Sequence, residues 1–110
     1  ARAESFVNEA LIDLRIRFPD EVASLGDDAT RASIREGIER AAAYGIAIEL
    51  DVIRFLRLTF LLGRAFDDDA RYPWARAVLT DAHLAPGGRM GVLLLVAGHE
   101  LGADAAVRVS

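Results

Sequence analysis

The residues whose types could carry out metal or acid–base chemistry are few and scattered along the chain. His99 and Glu100 are adjacent, but a zinc-protease helix needs a second histidine one turn later, where this chain has Ala103. His83 is the other histidine and shares no local motif with His99. No serine lies within a Gly-x-Ser-x-Gly elbow. We therefore predict no catalytic residues, no histidine metal site and no bound cofactor.

The densest group of carboxylates is the run Asp67, Asp68 and Asp69. Oxygen ligands gathered in this way bind hard cations such as calcium or magnesium. A calcium-binding loop, however, needs acidic residues at alternate positions, an inner glycine and a distal glutamate, and this run continues instead into Arg71 and Pro73. We predict a solvated loop in which Asp69 stabilises the start of the following helix, and no metal site.

Composition narrows the class of protein further. The 110 residues include no cysteine, which excludes disulfides, thiolate zinc sites, iron–sulfur clusters and a cysteine nucleophile. The net charge of -4 argues against a nucleic-acid partner, since such proteins carry a basic surface. The longest uninterrupted apolar run, residues 92–97, is far shorter than the roughly 20 residues that span a bilayer, so no membrane segment is predicted. We expect a cytoplasmic protein, with a removed signal peptide as the alternative left open by a chain that begins at Ala1.

The spacing of apolar residues predicts helices along the whole chain. Within residues 5–18 apolar residues recur at steps of four, three and four, which places them on one helix face. Residues 49–66 are the most apolar long segment, which predicts a central helix surrounded by the others. The dense apolar segment 89–101 suits a buried helix or a buried strand, and we predict a helix because a lone strand has nothing to pair with. The predicted helices are residues 5–18, 19–25, 29–44, 49–66, 73–79 and 89–101.

These elements predict an all-α fold. We expect one domain over residues 1–110, built as a compact bundle of five or six helices around the central apolar helix. Gly45 should take a positive φ where the third helix ends, because glycine tolerates that conformation. The side chains expected to form one buried core are Leu11, Leu14, Ile38, Val52, Phe55, Leu56, Leu62 and Trp74.

Three arginines interrupt the apolar character of the predicted central helix. At 100° per residue Arg54, Arg57 and Arg64 fall within a sector of about 80°, so they share one stripe of the helix. One interpretation is that this arginine stripe faces solvent or pairs with Asp67, Asp69 or Glu49. The other is a charged docking strip for a partner, since arginine is a common recognition residue.

Two isoleucines of the first helix lie away from its apolar face. Ile12 and Ile16 point about 140 to 180° from that face, among charged residues. Either the helix is covered on both sides, or the two residues form an exposed apolar surface for a partner or a second copy. In the second case Phe6 or Val22 would have to enlarge the surface. We rank these isoleucines above the arginine stripe as a candidate partner-binding surface.

An ordered set of short motifs follows the middle of the chain, under half of its length. They are GIERA (37–41), YGI (44–46), ELDV (49–52), LTF (58–60) with Gly63, FDDD (66–69) and PWA (73–75). This set resembles a family of small all-helical bacterial proteins encoded near type VI secretion spike and effector genes. One departure is that Ala70 stands where the family has a proline, which should make the loop less rigid. The motif residues in question are Tyr44, Glu49, Asp51, Phe66, Asp67, Asp69 and Trp74.

The resemblance implies an accessory role as an adaptor, chaperone or effector-associated module, and it brings no activity and no cofactor. The same motif residues also suit purely architectural roles: Gly45 ends a helix, Glu49 and Asp51 favour the next helix start, and Trp74 anchors a helix after Pro73.

Our leading hypothesis is a non-enzymatic protein-interaction module whose partner is another protein or a second copy of itself. The alternative is a small hydrolase or metal-dependent enzyme. It would use Asp67 and Asp69 with Glu49 or Asp51, in the region of Tyr44 and Trp74.

Overall fold

The chain folds into seven α-helices and one short 3-10 turn, and the computed structural model describes residues 2–110 without any strand among them. The prediction of an all-α fold is therefore confirmed. The helices are α1 (Arg2–Arg17), α2 (Pro19–Leu25), α3 (Asp27–Ala43), α4 (Glu49–Leu62), α5 (Pro73–Leu79), α6 (Pro86–Leu101) and α7 (Ala103–Val109), with the 3-10 turn at Phe66–Asp68.

Prolines begin three of these helices. Pro19, Pro73 and Pro86 each stand in the first turn, where the missing amide hydrogen costs nothing and the fixed φ suits a helix. Residues 86–88, expected to be a loop, therefore belong to α6. At the far end of α6, Gly102 takes a φ of 95° and separates it from α7, a helix that the sequence did not predict.

Helix α4 lies at the centre, as expected, although it ends at Leu62 rather than at residue 66. It packs against α1, α3, α6, α7 and the 3-10 turn. Phe55, Leu56 and Leu58 on α4 are completely buried. Phe66, beyond the end of the helix, packs against Phe55 with its ring tilted by 55° and the ring centroids 5.1 Å apart. The chain closes around this helix with a radius of gyration of 13.2 Å, the value typical of a folded chain of this length.

The predicted core is confirmed, because none of its eight side chains is exposed. Six of them are buried, and Ile38 and Trp74 are half-buried and pack against the same cluster. The buried members are Leu11, Leu14, Val52, Phe55, Leu56 and Leu62.

The turn between α3 and α4 contacts the start of α6. Gly45 has a φ of 78°, which confirms the predicted positive value. A Cβ added to Gly45 would lie 2.8 Å from the Cβ of Pro86, so the backbone there approaches α6 too closely for a side chain. Arg89 adds a hydrogen bond of 2.7 Å to the carbonyl oxygen of Tyr44. The turn is therefore both a helix end and a contact between distant parts of the chain.

Helix α6 is apolar on nearly all sides, yet only part of it is buried. It packs mainly against α5 and α7, and Met90, Leu93 and Ala97 face the core. Leu95 on the opposite side is 77% exposed. The predicted helix is correct, but its burial is limited to one face.

Candidate functional site

Asp67 lies inside the molecule rather than in a solvated loop. It is only 3% exposed and accepts hydrogen bonds from the guanidinium of Arg40 and, at 2.5 Å, from the hydroxyl of Tyr44. Burial alone would raise the pKa of the Asp67 carboxyl, but these two donors outweigh it and hold the pKa below its ordinary value of 3.8. The same burial and the contact with Asp67 raise the pKa of Tyr44 to about 12.

Asp68 and Asp69 lie nearer the surface than Asp67, and each pairs with a different arginine. Asp68 forms an ion pair of 2.8 Å with Arg76. Asp69 accepts bonds from the guanidinium and the backbone amide of Arg71, at 2.8 and 2.9 Å, and these bonds lower the pKa of Asp69. The expected stabilisation of the next helix by Asp69 is wrong, because its carboxylate is turned onto Arg71.

The other members of the hypothetical enzyme site do not join these carboxylates. Asp51 pairs with Arg54 at 3.5 Å, and Glu49 lines a cavity of about 360 Å³ shared with the start of α1. Asp69 lines a different cavity, of about 430 Å³, beside α5. Trp74 contacts the ring of Tyr72 edge-on at 6.0 Å. Within residues 2–110 no group of three or more histidine, aspartate and glutamate side chains is placed to hold a metal ion.

The two histidines also lie apart on the surface. His83 is almost fully exposed and stands 3.3 Å from Asp81. His99 is exposed in the last turn of α6.

The arginine stripe does not exist as one surface. Arg57 is only 6% exposed and donates to both carboxylate oxygens of Asp13 on α1, at 2.7 and 3.0 Å. Arg64 lies beyond the end of α4 and forms an ion pair of 2.6 Å with Glu36. The expected partners Asp67, Asp69 and Glu49 are therefore wrong for these two, because α1 covers Arg57 and the helix stops before Arg64.

The Asp13–Arg57 pair fixes α1 against α4 at a partly buried position. Burial would raise the pKa of the Asp13 carboxyl, but the hydrogen bonds and charge of Arg57 dominate and lower it below 3.8.

Ile12 and Ile16 form the outer face of α1, the name used below for this surface. They are 57% and 75% exposed, which excludes the alternative that α1 is covered on both sides. Phe6 and Val22, which could have enlarged the face, are buried on the inner side instead. The exposed apolar area is therefore confined to the two isoleucines on this helix.

Polar contacts fix both flanks of this outer face. On the side of α3, Asn8 accepts a hydrogen bond of 2.6 Å from Arg31, and Arg15 pairs with Asp27 at 2.5 Å. On the other side, Arg17 donates to the carbonyl oxygens of Val107 and Arg108 on α7. Val107 is itself 70% exposed, so a further apolar side chain lies on the neighbouring helix.

A groove of about 550 Å³ lies between α2, α3 and the end of α4. We call it the α2–α4 groove. It was not predicted, because its walls come from residues far apart in sequence and no motif marks them. Its lining residues are Asp20, Glu21, Ser24, Leu25, Ser33, Thr59, Phe60 and Arg64.

The described arginines all have bonding partners, whereas several of the described carboxylates have none. All 13 basic residues of the chain are arginines. In the part of the chain whose side chains are described, every arginine bonds to a carboxylate or, for Arg89, to backbone carbonyl oxygens. The described carboxylates without an ion pair or hydrogen bond are Glu9, Asp20, Asp28, Glu39, Glu100 and Asp104.

The comparisons with known proteins add no relative. No protein-family model, curated protein or solved structure matches the chain. Among the described residues no helix is long and apolar enough to cross a membrane.

Proposed function

We propose that this chain is a non-enzymatic protein-interaction module of the cytoplasm, acting as an adaptor or chaperone-like accessory protein of a type VI secretion effector locus. The observation that carries the proposal is the outer face of α1, where Ile12 and Ile16 are exposed although the other large apolar side chains of the helix are buried. Apolar side chains surrounded by polar ones are typical of the centre of a protein interface.

The outer face of α1 is suited to binding because the helix is held in place. Ion pairs and hydrogen bonds connect it to α3 on one flank and to α4 and α7 on the other. A partner would thus meet a surface that is already ordered, which reduces the entropy cost of association. Covering the two isoleucines contributes about 1.5 to 3 kcal/mol for each side chain that becomes fully buried.

The resemblance supports the second half of the proposal, the link to a secretion locus. Of its motif residues, Tyr44 and Asp67 are joined by a hydrogen bond and Phe66 packs on the central helix. These contacts are architectural, so the role we propose for these residues is to hold the bundle that presents the outer face of α1. The arginine partners of the acidic run favour this role over a cation-dependent enzyme.

The test is a double substitution, Ile12→Glu with Ile16→Glu, in the full chain. The matched control is Leu95→Glu, which places one glutamate at an apolar residue on α6 that is as exposed as Ile16. All proteins are co-expressed with the products of the neighbouring spike and effector genes and checked for helical content by circular dichroism.

We expect the double variant to remain folded and lose co-purification with its partner, while Leu95→Glu retains it. Sedimentation of the purified chain then shows whether a second copy uses the same face. A folded double variant that still captures the partner would contradict the proposal, and equal loss in the Leu95→Glu control would remove the special role of α1.

A further inference from the structure

We infer that the α2–α4 groove is a second binding site, which takes a basic amphipathic segment of a partner protein. An apolar side chain of that segment enters between Leu25 and Phe60, and a lysine or arginine next to it reaches Asp20. The inference rests on the proposed function only for the premise that the partner is a protein. The surface itself is separate from the outer face of α1.

The groove offers an apolar floor that the chain leaves uncovered. Leu25 is 48% exposed at the end of α2, and Phe60 on α4 is half-buried. The Phe60 ring is held by the buried ring of Phe18, with centroids 6.2 Å apart. A volume of about 550 Å³ lies within the range of clefts that bind ligands, roughly 300 to 1,000 Å³. The groove is therefore large enough for one or two apolar side chains and is partly preformed.

The charges around this floor favour a cation. Asp20 has no ion pair and no hydrogen bond in the described structure. Glu21 is engaged by Arg108 at 3.2 Å, and Arg64 donates hydrogen bonds to both carboxylate oxygens of Glu36. The charge that remains uncompensated at the groove is thus the Asp20 carboxylate.

The charge balance of the whole surface points to the same class of partner. Unpaired carboxylates occur on five helices, α1, α2, α3, α6 and α7, whereas each described arginine is already bonded. An acidic partner would have to share each described arginine with a group of the chain that already neutralises or bonds it. A second copy of this chain would bring more unpaired carboxylates to the groove and be repelled.

Two hydroxyl groups supply polar contacts at the rim. Ser24 and Ser33 form no hydrogen bond within the described structure, whereas the hydroxyl of Thr59 already donates to the carbonyl oxygen of Phe55 at 3.1 Å. The two serines can therefore bond to polar groups of an incoming chain without giving up a contact of their own.

The experiment uses a synthetic amphipathic helix of leucine, alanine and lysine, labelled for fluorescence anisotropy, with an otherwise identical glutamate peptide as the negative control. The groove variant is Leu25→Ser with Asp20→Lys. The matched control is Glu39→Lys, because Glu39 is an unpaired surface carboxylate of α3 that does not line the groove.

We expect the lysine peptide to bind and the glutamate peptide not to bind. The groove variant should weaken binding by about tenfold or more, the Glu39→Lys control by about twofold at most, and added salt should weaken binding because exposed charges are screened. Peptide-induced shifts of amide resonances should centre on the lining residues.

Four results would overturn the inference. The first is that the lysine peptide does not bind, and the second is that the groove variant and the Glu39→Lys control weaken its binding equally. The third is that the peptide shifts resonances outside the groove. The fourth is that groove resonances shift with protein concentration in the absence of peptide, which would show that a second copy occupies the groove. Failure of the proposed function is separable, since it appears as co-purification unaffected by Ile12→Glu with Ile16→Glu, whatever the peptide does.

Discussion

Helices α4 and α6 are the two most apolar of the long helices, and they occupy opposite environments. Helix α4 is covered by helices from both ends of the sequence, so even its Arg57 is buried against α1. Helix α6 is covered mainly by its sequence neighbours α5 and α7, and its Leu95 faces solvent. The apolar content of a helix therefore sets how much of its surface can be buried, and the helices packed around it determine how much of that surface is buried in the fold.

The largest expected effect tests this difference directly. Phe55→Ala on α4 should lower the free energy of unfolding by about 3 to 5 kcal/mol, because it leaves a cavity among completely buried side chains. Leu95→Ala on α6 should change it by no more than about 0.5 kcal/mol. Urea unfolding followed by circular dichroism measures both. Similar losses in the two variants would show that α6 is covered as fully as α4.

The next prediction concerns the polar contact of α4. Asp13→Asn leaves the buried guanidinium of Arg57 without its charged partner and should cost about 2 to 3 kcal/mol, since part of Asp13 remains open to water. The free energy of unfolding of both proteins is measured by urea unfolding, first at neutral pH and then across a series of lower pH values.

The pH dependence follows from the lowered pKa of Asp13. A carboxyl whose folded-state pKa lies below its ordinary value of 3.8 adds stability above that value, and this contribution is lost as the pH falls through the folded-state pKa. Asp13→Asn should therefore lower stability at neutral pH and flatten its decline in acid. An unchanged acid profile would show that Asp13 does not contribute to it.

Gly45→Ala tests the contact that joins the two regions. The positive φ and the approach to Pro86 should together cost about 1 to 2 kcal/mol. The control is Gly87→Ala in the first turn of α6, where an added Cβ meets no atom within 4 Å. That variant should be neutral or stabilised by up to about 1 kcal/mol, and a matching loss in both would mean that the close approach has no effect.

The smallest effect is expected at Tyr44. Removing its hydroxyl in Tyr44→Phe takes one hydrogen bond from Asp67 and should cost about 1 kcal/mol. With a pKa of about 12 in place of 10.0, the protonated phenol adds stability that is lost as the pH rises between these values. Absorbance of tyrosinate should show a late-titrating group that Tyr44→Phe removes. Early titration of Tyr44 would contradict its hydrogen bond to Asp67.

The sequence predicted what local spacing controls and missed what distant neighbours control. Periodicity identified α4 and its buried Phe55, and the turn chemistry of Gly45 identified its positive φ. The end of α4 was predicted too late because Phe66 continues the apolar spacing, although it reaches the core from the 3-10 turn.

Long-range pairing explains the errors at the candidate sites. Arg57 and Asp13 are 44 positions apart, and Arg40 and Asp67 are 27 apart. Local spacing does not reveal which arginine meets which carboxylate. The predictions of one arginine stripe and of a solvated Asp67 were therefore wrong, whereas Asp68 is exposed as expected. The exposure of Ile12 and Ile16 was one of two predicted alternatives, since their position on α1 followed from the helix period.

The edge-on contact between Trp74 and Tyr72 has an optical consequence. Trp74 is the chain's single tryptophan, and it stands at the start of α5, which packs mainly against α6 and the 3-10 turn. Its emission therefore reports the α5–α6 end of the bundle, while ellipticity reports all helices at once. If the two signals change at the same urea concentration, the covered and the partly covered apolar helices unfold together as one cooperative unit.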